Sequence, residues 1–400
     1  LSRDNIENRL DGACARLLQY QKQFRTMPSA LFVNANSENN IRSTEACITD
    51  KGKEITRAIF GEGPKDEKKL GKGVFRQYGK AKDGFDIVSN QFSIHYFFKD
   101  SYTLNSFLRN VSECCKVGGY SIGSSYDGRR VFRELESKSP GESISIHKNG
   151  TKMWSVTKDY PNEEFSDDVS CLGYEITVYQ ESINKPFTEY LVNFEYLVRI
   201  INNYGFILLE REEARELGLP ASIGNFDQLY YEMESQLKLR RIRKSDIGSA
   251  DRMSVEEKKI SFLNKYFIFK KIRDVNAEEV SRTLTDMTQV QKEMEYAADK
   301  VLSKVLLKSG PKVRKKKKKI KLGIGKIPTE VIPSLVVTEE IVETIVAKPP
   351  GTIKVSKKPI KVKVSKKVKV SKKPIKVKVS KKVKVKSKVS THKASEVDEK

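Results

Sequence analysis

The segment Ser89-Asn90-Gln91-Phe92-Ser93-Ile94-His95-Tyr96-Phe97-Phe98 gathers the side chains best suited to hold a small ligand. Gln91 carries a donor and an acceptor on one amide, and His95 can stack or hydrogen-bond. Phe92, Tyr96 and Phe97 offer flat apolar faces. That mixture suits a planar ligand with a polar edge, such as a nucleobase. It would serve equally as the start of a helix whose aromatics fill a core, and the local sequence leaves both open. Glu189, taken by itself, reads as a solvated carboxylate at a helix N-terminus, where the dipole favours it. Metal chemistry has little to work with. Only His95, His147 and His392 could join Cys14, Cys47, Cys114, Cys115 and Cys171, and no C-x-x-C pair occurs, which argues against a zinc site. An odd, unpatterned set of cysteines points to a reducing compartment.

Such a segment must be aimed by a strand ahead of it and a helix behind. Phe85–Ser89 reads as the strand, and residues 101–116 as an amphipathic helix with Leu104, Phe107, Leu108, Val111 and Cys115 at spacings of three and four. Gly118-Gly119 reads as the end of that helix, with Tyr120–Gly123 starting the next strand. Around this unit the pattern predicts a helix over 5–24, a short buried strand at Ala30–Val33 and a glycine-rich loop over 61–84. A polar, irregular stretch over 130–172 precedes a strand at Leu172–Tyr179 and a helix at Glu189–Tyr204. Strands at Gly205–Leu209 and Tyr266–Phe269 could form the antiparallel pair that closes such a sheet. The alternation implies an α/β domain with a largely parallel sheet. Ligands then bind beyond the carboxyl ends of the strands, which selects Asn34–Ser37, Ser89–Tyr96 and Ser124–Asp127.

All the formal charge of +24 lies in the last quarter of the chain. Residues 301–400 hold 31 Lys/Arg against 7 Asp/Glu, whereas 1–300 hold 45 of each. That quarter has no Phe, Tyr, Trp or Cys with which to build a core. Lys315–Lys319 is a lysine run, and the fifteen residues of 355–369 recur unchanged at 370–384. An extended, disordered tail over 309–400 is expected, able to bind phosphate backbones without sequence preference or simply to solubilise. Before it, Val280, Met287, Met294 and Val301 recur every seven residues. This predicts an amphipathic helix over 276–308, packed on the domain or in a weak coiled coil. No apolar run approaches the roughly 18–20 residues that span a bilayer, and the first residues lack the apolar core of a secretory signal.

Several motifs, in order, carry a family resemblance. They are Asp4-Asn5-Ile6 with Asp11-Gly12-Ala13, Phe-Val-Asn-Ala-Asn-Ser at 32–37 and Phe-Asp-Ile-Val-Ser-Asn-Gln-Phe-Ser-Ile-His-Tyr at 85–96. Leu108-Arg109-Asn110, Gly118–Gly123 and Glu-Tyr-Leu-Val at 189–192 complete the set. Over residues 1–272 the chain resembles mRNA cap guanine-N7 methyltransferases, above all those within capping enzymes of large double-stranded DNA viruses. The resemblance implies a Rossmann-like class I sheet using S-adenosylmethionine, with capped RNA as substrate and further capping modules upstream. It implies Gln91, Phe92 and Ser93, with Asn36 and Ser37, as cofactor-binding residues. His95, Tyr96, Glu189 and Tyr266 fall on the cap-guanine contacts, and Tyr126-Asp127-Gly128 matches a viral variant of a nearby loop. No acid–base catalyst is implied, because guanine N7 bears a free lone pair and a sulfonium is already activated. The resemblance divides the chain into a methyltransferase domain at 1–275, partial at its start, the helix 276–308 and the tail 309–400. It implies a viral factory, a virion or the nucleus as the setting.

One departure stands out. The family's first strand and Gly-rich loop, and the acid that ends strand two, have no counterpart after Leu1. The chain is therefore expected to be a fragment with its first strand or strands missing, to bind the cofactor poorly and to be inactive alone. Gly61–Gly73 and Gly323-Ile324-Gly325 lack the strand-before, helix-after context of a phosphate or cofactor loop. Two other functions stay open: methylation at a different nucleic-acid position, and an inactive methyltransferase fold that only binds RNA.

Overall fold

A computed structural model describes residues 12–24 and 26–308. Strand β1 (Phe85–Gln91) lies parallel to β2 (Cys115–Tyr126), and the helix Ser101–Cys114 makes the crossover that a parallel pair requires. Asp100 starts that helix with a capping box, accepting from the Thr103 backbone while Thr103 Oγ1 accepts in return. Its buried face, including Leu104, Phe107, Leu108 and Val111, packs into the principal core.

The chain then leaves this sheet. After the helix Gly128–Glu134, four strands form a second, antiparallel sheet in chain order: β3 (Ser143–Lys148), β4 (Thr151–Lys158), β5 (Glu175–Gln180) and β6 (Lys185–Tyr190). Asn149 and Gly150, both at positive φ, turn β3 into β4, the conformation a tight hairpin demands. The helix Phe194–Asn203 leads back to the first sheet, which is completed by β7 (Phe206–Leu208), β8 (Ile223–Asn225) and β9 (Asn264–Lys271). All three pair antiparallel: β9 with β2, β7 and β8 along β9. Gly123 is required where β2 meets β9, because a Cβ there would stand 2.3 Å from the Phe267 ring and from the Asn90 carbonyl oxygen. Lys271 is buried, and its Nζ donates to the carbonyls of Ser112 and Cys115, tying β9 to the end of the crossover helix.

The α/β class and the β7–β9 antiparallel pair agree with the sequence reading, while several local expectations do not. The sheet is mixed rather than largely parallel, since β1–β2 is its one parallel pair among the described residues. Ala30–Val33 forms no strand; that region holds only a single bridge between Ala35 and Cys47. Gly118-Gly119 does not cap a helix but lies within β2, in the bulge where the pairing jumps from Phe85–Cys115 to Ile87–Tyr120. The 61–84 segment contains two one-turn helices, Glu67–Leu70 and Lys72–Phe75. The stretch 130–172 is not irregular, because the β3–β4 hairpin lies inside it. Glu189 stands on β6 rather than at a helix start, and the following helix begins at Phe194.

The helix Ala277–Lys308 packs on Ser101–Cys114 through Val280 and Leu284. Ser101 Oγ donates to Thr288 Oγ1 at 3.0 Å. The early turns of the stripe thus cover the domain, while Met287 and Met294 stay exposed. The expected tail and the first part of the 5–24 helix lie outside the described residues; Ala13–Gln23 is helical. No described helix is long and apolar enough to cross a membrane.

Candidate ligand site between the two sheets

Gln91 ends β1 and Ser124 lies beside it on β2, at the carboxyl edge of the parallel pair. Ser124 Oγ donates to Gln91 Oε1 at 2.6 Å, fixing the amide across the strand gap. Phe92 follows at φ +49°, a left-handed conformation costly for a side chain of this kind. Its N–H donates to the Ser124 carbonyl at 2.9 Å. This turn directs the chain from β1 into the 3-10 segment Ile94–Lys99, which carries His95 and Tyr96. Ile94, Phe97 and Phe98 from the same segment are buried in the core. The run is therefore split: Ile94, Phe97 and Phe98 fill the core, as the packing reading has it, while Phe92 and Tyr96 stay exposed beside a cavity.

His95 and Tyr96 look onto a cavity of about 150 Å³. Phe92 and Tyr126 line it from the first sheet, and Ile183, Phe187 and Glu189 from the second. Phe92 and Tyr96, like Ile183 and Phe187 across from them, are exposed, so the cavity opens to solvent along both sheets. On its wall Glu189 Oε1 stands 3.6 Å from His95 Nε2, and both residues are buried. Neither ring nitrogen of His95 nor Glu189 Oε2 has a hydrogen-bond partner among the described residues. Buried polar atoms left unpaired cost free energy on the order of 1–3 kcal/mol each, so a water or a ligand in the cavity would find partners on this wall. Burial pushes the Glu189 carboxyl up to about 7 and the His95 imidazole down to about 4. The same burial opposes charge on both groups, so at neutral pH the imidazole is uncharged and the 3.6 Å pair is not a fixed ion pair.

Tyr126 ties the two sheets together. Its Oη accepts from Trp154 Nε1 on β4 and from Gln180 Nε2 on β5, each at 3.0 Å. Glu189 is two residues beyond Phe187 on β6, whose register with β5 places it opposite Ile176.

The remaining sequence candidates are distributed differently. Ser93 adjoins His95, and its carbonyl accepts from the Tyr96 N–H. Tyr266 does not line the cavity. It lies opposite Ser124 on β9, with its hydroxyl donating to the Ala221 carbonyl at 3.0 Å and its ring against Gly224. Asn36 is exposed, with its amide bonded to Glu38, and the Ser37 carbonyl accepts from Asn110 Nδ2 on the crossover helix. Among the described residues no hydrogen bond joins Asn36 or Ser37 to Gln91, Phe92 or Ser93. Gln91, Phe92 and Ser93 follow one another on the carboxyl edge beside the cavity, where an amide, an aromatic face and a hydroxyl would suit a nucleoside cofactor. Ile183 and Phe187 are not among the sequence candidates, because of the second sheet the sequence pattern predicts only the strand at Leu172–Tyr179 (β5) and not its partners. The Asn149-Gly150 pair flanked by alternating Ile144, Ile146, Trp154 and Val156 was the available signal.

The cavity lies at the carboxyl edge of the parallel strands, where open α/β sheets commonly bind ligands. The chain belongs to the mRNA (guanine-N(7))-methyltransferase domain family, whose model matches residues 8–272. It is 26% identical over 221 residues to a probable mRNA-capping enzyme of Acanthamoeba polyphaga mimivirus, covering 51% of this chain and 18% of that protein. It is 27% identical over 227 residues to the mRNA cap guanine-N(7) methyltransferase of Candida glabrata, covering 55% and 50%. Against the Saccharomyces cerevisiae protein of the same name it is 30% identical over 159 residues, covering 39% and 34%. The chain thus spans half or less of the length of these curated relatives.

Proposed function

We propose that this protein transfers a methyl group from S-adenosylmethionine to N7 of the terminal guanine of capped mRNA, and that the cavity between the sheets holds that guanine. One observation carries the reading: on a cavity wall His95 Nε2 stands 3.6 Å from Glu189 Oε1, and both His95 ring nitrogens and Glu189 Oε2 are buried without a hydrogen-bond partner among the described residues. Guanine presents the complementary edge, with the O6 acceptor beside the N1–H and amino donors. Glu189 accepts from the donors, and neutral His95, in its Nε2–H tautomer, donates to O6. Adenine, with its amino group where O6 would be, mismatches both. Held this way, guanine turns N7 away from Glu189.

The cofactor supplies an activated methyl group, and Gln91, Phe92 and Ser93 are the residues here that would hold it. The protein's part is positional. N7 needs no deprotonation, so fixing the base in line with the donor accounts for the catalysis without a general base. An imidazole with a pKa near 4 suits a hydrogen-bond donor better than a proton shuttle at neutral pH. Tyr96 and Phe92, half exposed at the rim, would attract the positive charge that N7 methylation places on the base. In this reading 1–275 form the methyltransferase domain, 276–308 the helix packed on it, and 309–400 a tail for RNA phosphates. The setting is wherever capped transcripts are made, with other capping modules as natural neighbours.

Trp154, the one tryptophan of the chain, is bonded to the cavity-lining Tyr126 and reports on occupancy. Titration with GpppG should change its emission saturably, whereas ApppA should not. An equal response to both would defeat the guanine assignment. Transfer of labelled methyl to GpppG by the full-length protein, mapped to N7, tests the reaction.

A further inference from the structure

We infer that the helix Phe226–Lys238 and the basic turn after it form a binding surface for the single-stranded RNA that follows the cap. The inference rests on the cap reading above and extends it from the terminal base to the chain behind it. RNA attached to a base in the cavity must leave past the exposed rim. Phe92 on that rim packs edge to face with Phe226, at 6.1 Å between centroids, so the helix begins at one edge of the opening. Arg130 pairs with Asp227 at 3.4 Å and fixes this end.

Along the helix, Tyr231 is 62% exposed, held against Tyr230 and Phe262 at 5.9 and 6.4 Å between centroids. A rigidly held, exposed aromatic face is what a sequence-tolerant stacking platform needs. Lys238 follows seven residues later on the same face. The turn beyond reads Lys238-Leu239-Arg240-Arg241-Ile242-Arg243-Lys244. Arg243 and Lys244 are matched by Asp246 and Asp251. Lys238, Arg240 and Arg241 are exposed and have no carboxylate within ion-pair distance among the described residues.

The backbone adds a separate indication. Arg241 N–H donates to the Gln236 carbonyl at 2.9 Å and Arg240 N–H to that of Leu237 at 3.0 Å, which closes the helix with Arg240 at φ +57°. This is the position glycine fills without strain. A guanidinium is kept there at a conformational cost and projects from the helix end. The helix has 13 residues, about 20 Å at 1.5 Å each. With a phosphate every 3.4 Å or so of a stacked strand, about six phosphates span it. Three belong to the cap bridge, so the basic turn meets the RNA at roughly the third nucleotide and beyond.

The test uses the full chain and capped 20-mers carrying one 4-thiouridine at position 2, 4, 6 or 15. Photocrosslinks from positions 4 and 6 should map to residues 226–244, and those from 15 should not. The variant Lys238→Glu/Arg240→Glu/Arg241→Glu should bind a capped 10-mer at least tenfold more weakly, with a log–log salt slope smaller by about 2, and bind GpppG unchanged. Arg240→Gly separates RNA contact from folding: it should raise the melting temperature while weakening 10-mer binding two- to threefold. Crosslinks confined to 309–400, or wild-type 10-mer affinity in the triple variant, overturn the inference. If GpppG leaves Trp154 silent while crosslinks still map to 226–244, the cap assignment fails and the RNA surface stands. If GpppG registers but crosslinks scatter regardless of position, the reverse holds.

Discussion

Nε2 of His95 stands 3.6 Å from Oε1 of Glu189, although the two residues are 94 positions apart and lie on different elements. His95 is placed by the turn out of β1, Glu189 by the last strand of the inserted sheet. Both residues are buried and line a cavity, and the His95 nitrogens and Glu189 Oε2 have no hydrogen-bond partner among the described residues. The pair's chemistry generates most of what can be measured.

Glu189→Gln keeps the shape of the side chain but replaces a carboxylate by an amide that also presents donors. Hydrogen bonds to a charged group contribute about 1.5–3 kcal/mol, so GpppG affinity, followed through Trp154 emission, should fall roughly 10- to 100-fold. A loss below twofold would remove Glu189 from the guanine site.

The same residue sets a pH dependence. Its carboxyl is pushed up to about 7 by burial, so guanine binding, which needs the ionised acceptor, should tighten as pH rises from 6 to 8. Glu189→Gln should flatten this profile. An identical slope in the variant would assign the titration elsewhere.

Stability responds with the opposite sign. An unfolded glutamate ionises near 4.5, whereas Glu189 holds its proton to about 7. Native protein therefore binds the extra proton between these values, and its stability falls as pH rises through them. Above pH 7 the ionised, buried carboxylate costs on the order of 3 kcal/mol. Glu189→Gln should thus melt at a higher temperature than wild type at pH 8 and lose that advantage near pH 4.5. His95, depressed to about 4, contributes stability above its unfolded value near 6.5 that is lost as pH falls through 4.

Tyr126→Phe removes the acceptor shared by Trp154 Nε1 and Gln180 Nε2. Leaving buried donors unpaired should cost about 1–3 kcal/mol, seen in chemical denaturation. Trp154 emission should also shift. Wild-type stability in this variant would mean that the sheets are fastened by apolar packing alone.

If the lysine-rich repeats engage RNA phosphates, deleting residues 310–400 should flatten the salt dependence of RNA binding. An unchanged slope would leave the tail without a part in RNA tethering.

Much of this was legible in order along the chain. The strand–turn–helix unit around 85–114, the closing antiparallel pair and the chemistry of Gln91–Tyr96 follow from local periodicity and residue type, which act over a few neighbouring positions. The late helix at 277–308 was legible for the same reason. Errors arose where partners lie far away. Gly118-Gly119 reads locally as a helix stop, and only the register against β1 makes it a bulge. Ala30–Val33 has a strand's composition but finds no ladder to join. The helical stripe Leu191 to Ile201 drew Glu189 into a helix that starts five residues later, because hydrophobic spacing does not mark where a strand hands over to a helix. Residue type could nominate His95 as a ligand group, and the family resemblance Glu189. Bringing them within 3.6 Å, leaving their polar atoms unpaired and shifting their proton affinities required two sheets to be docked through Tyr126, a long-range event that no local pattern encodes.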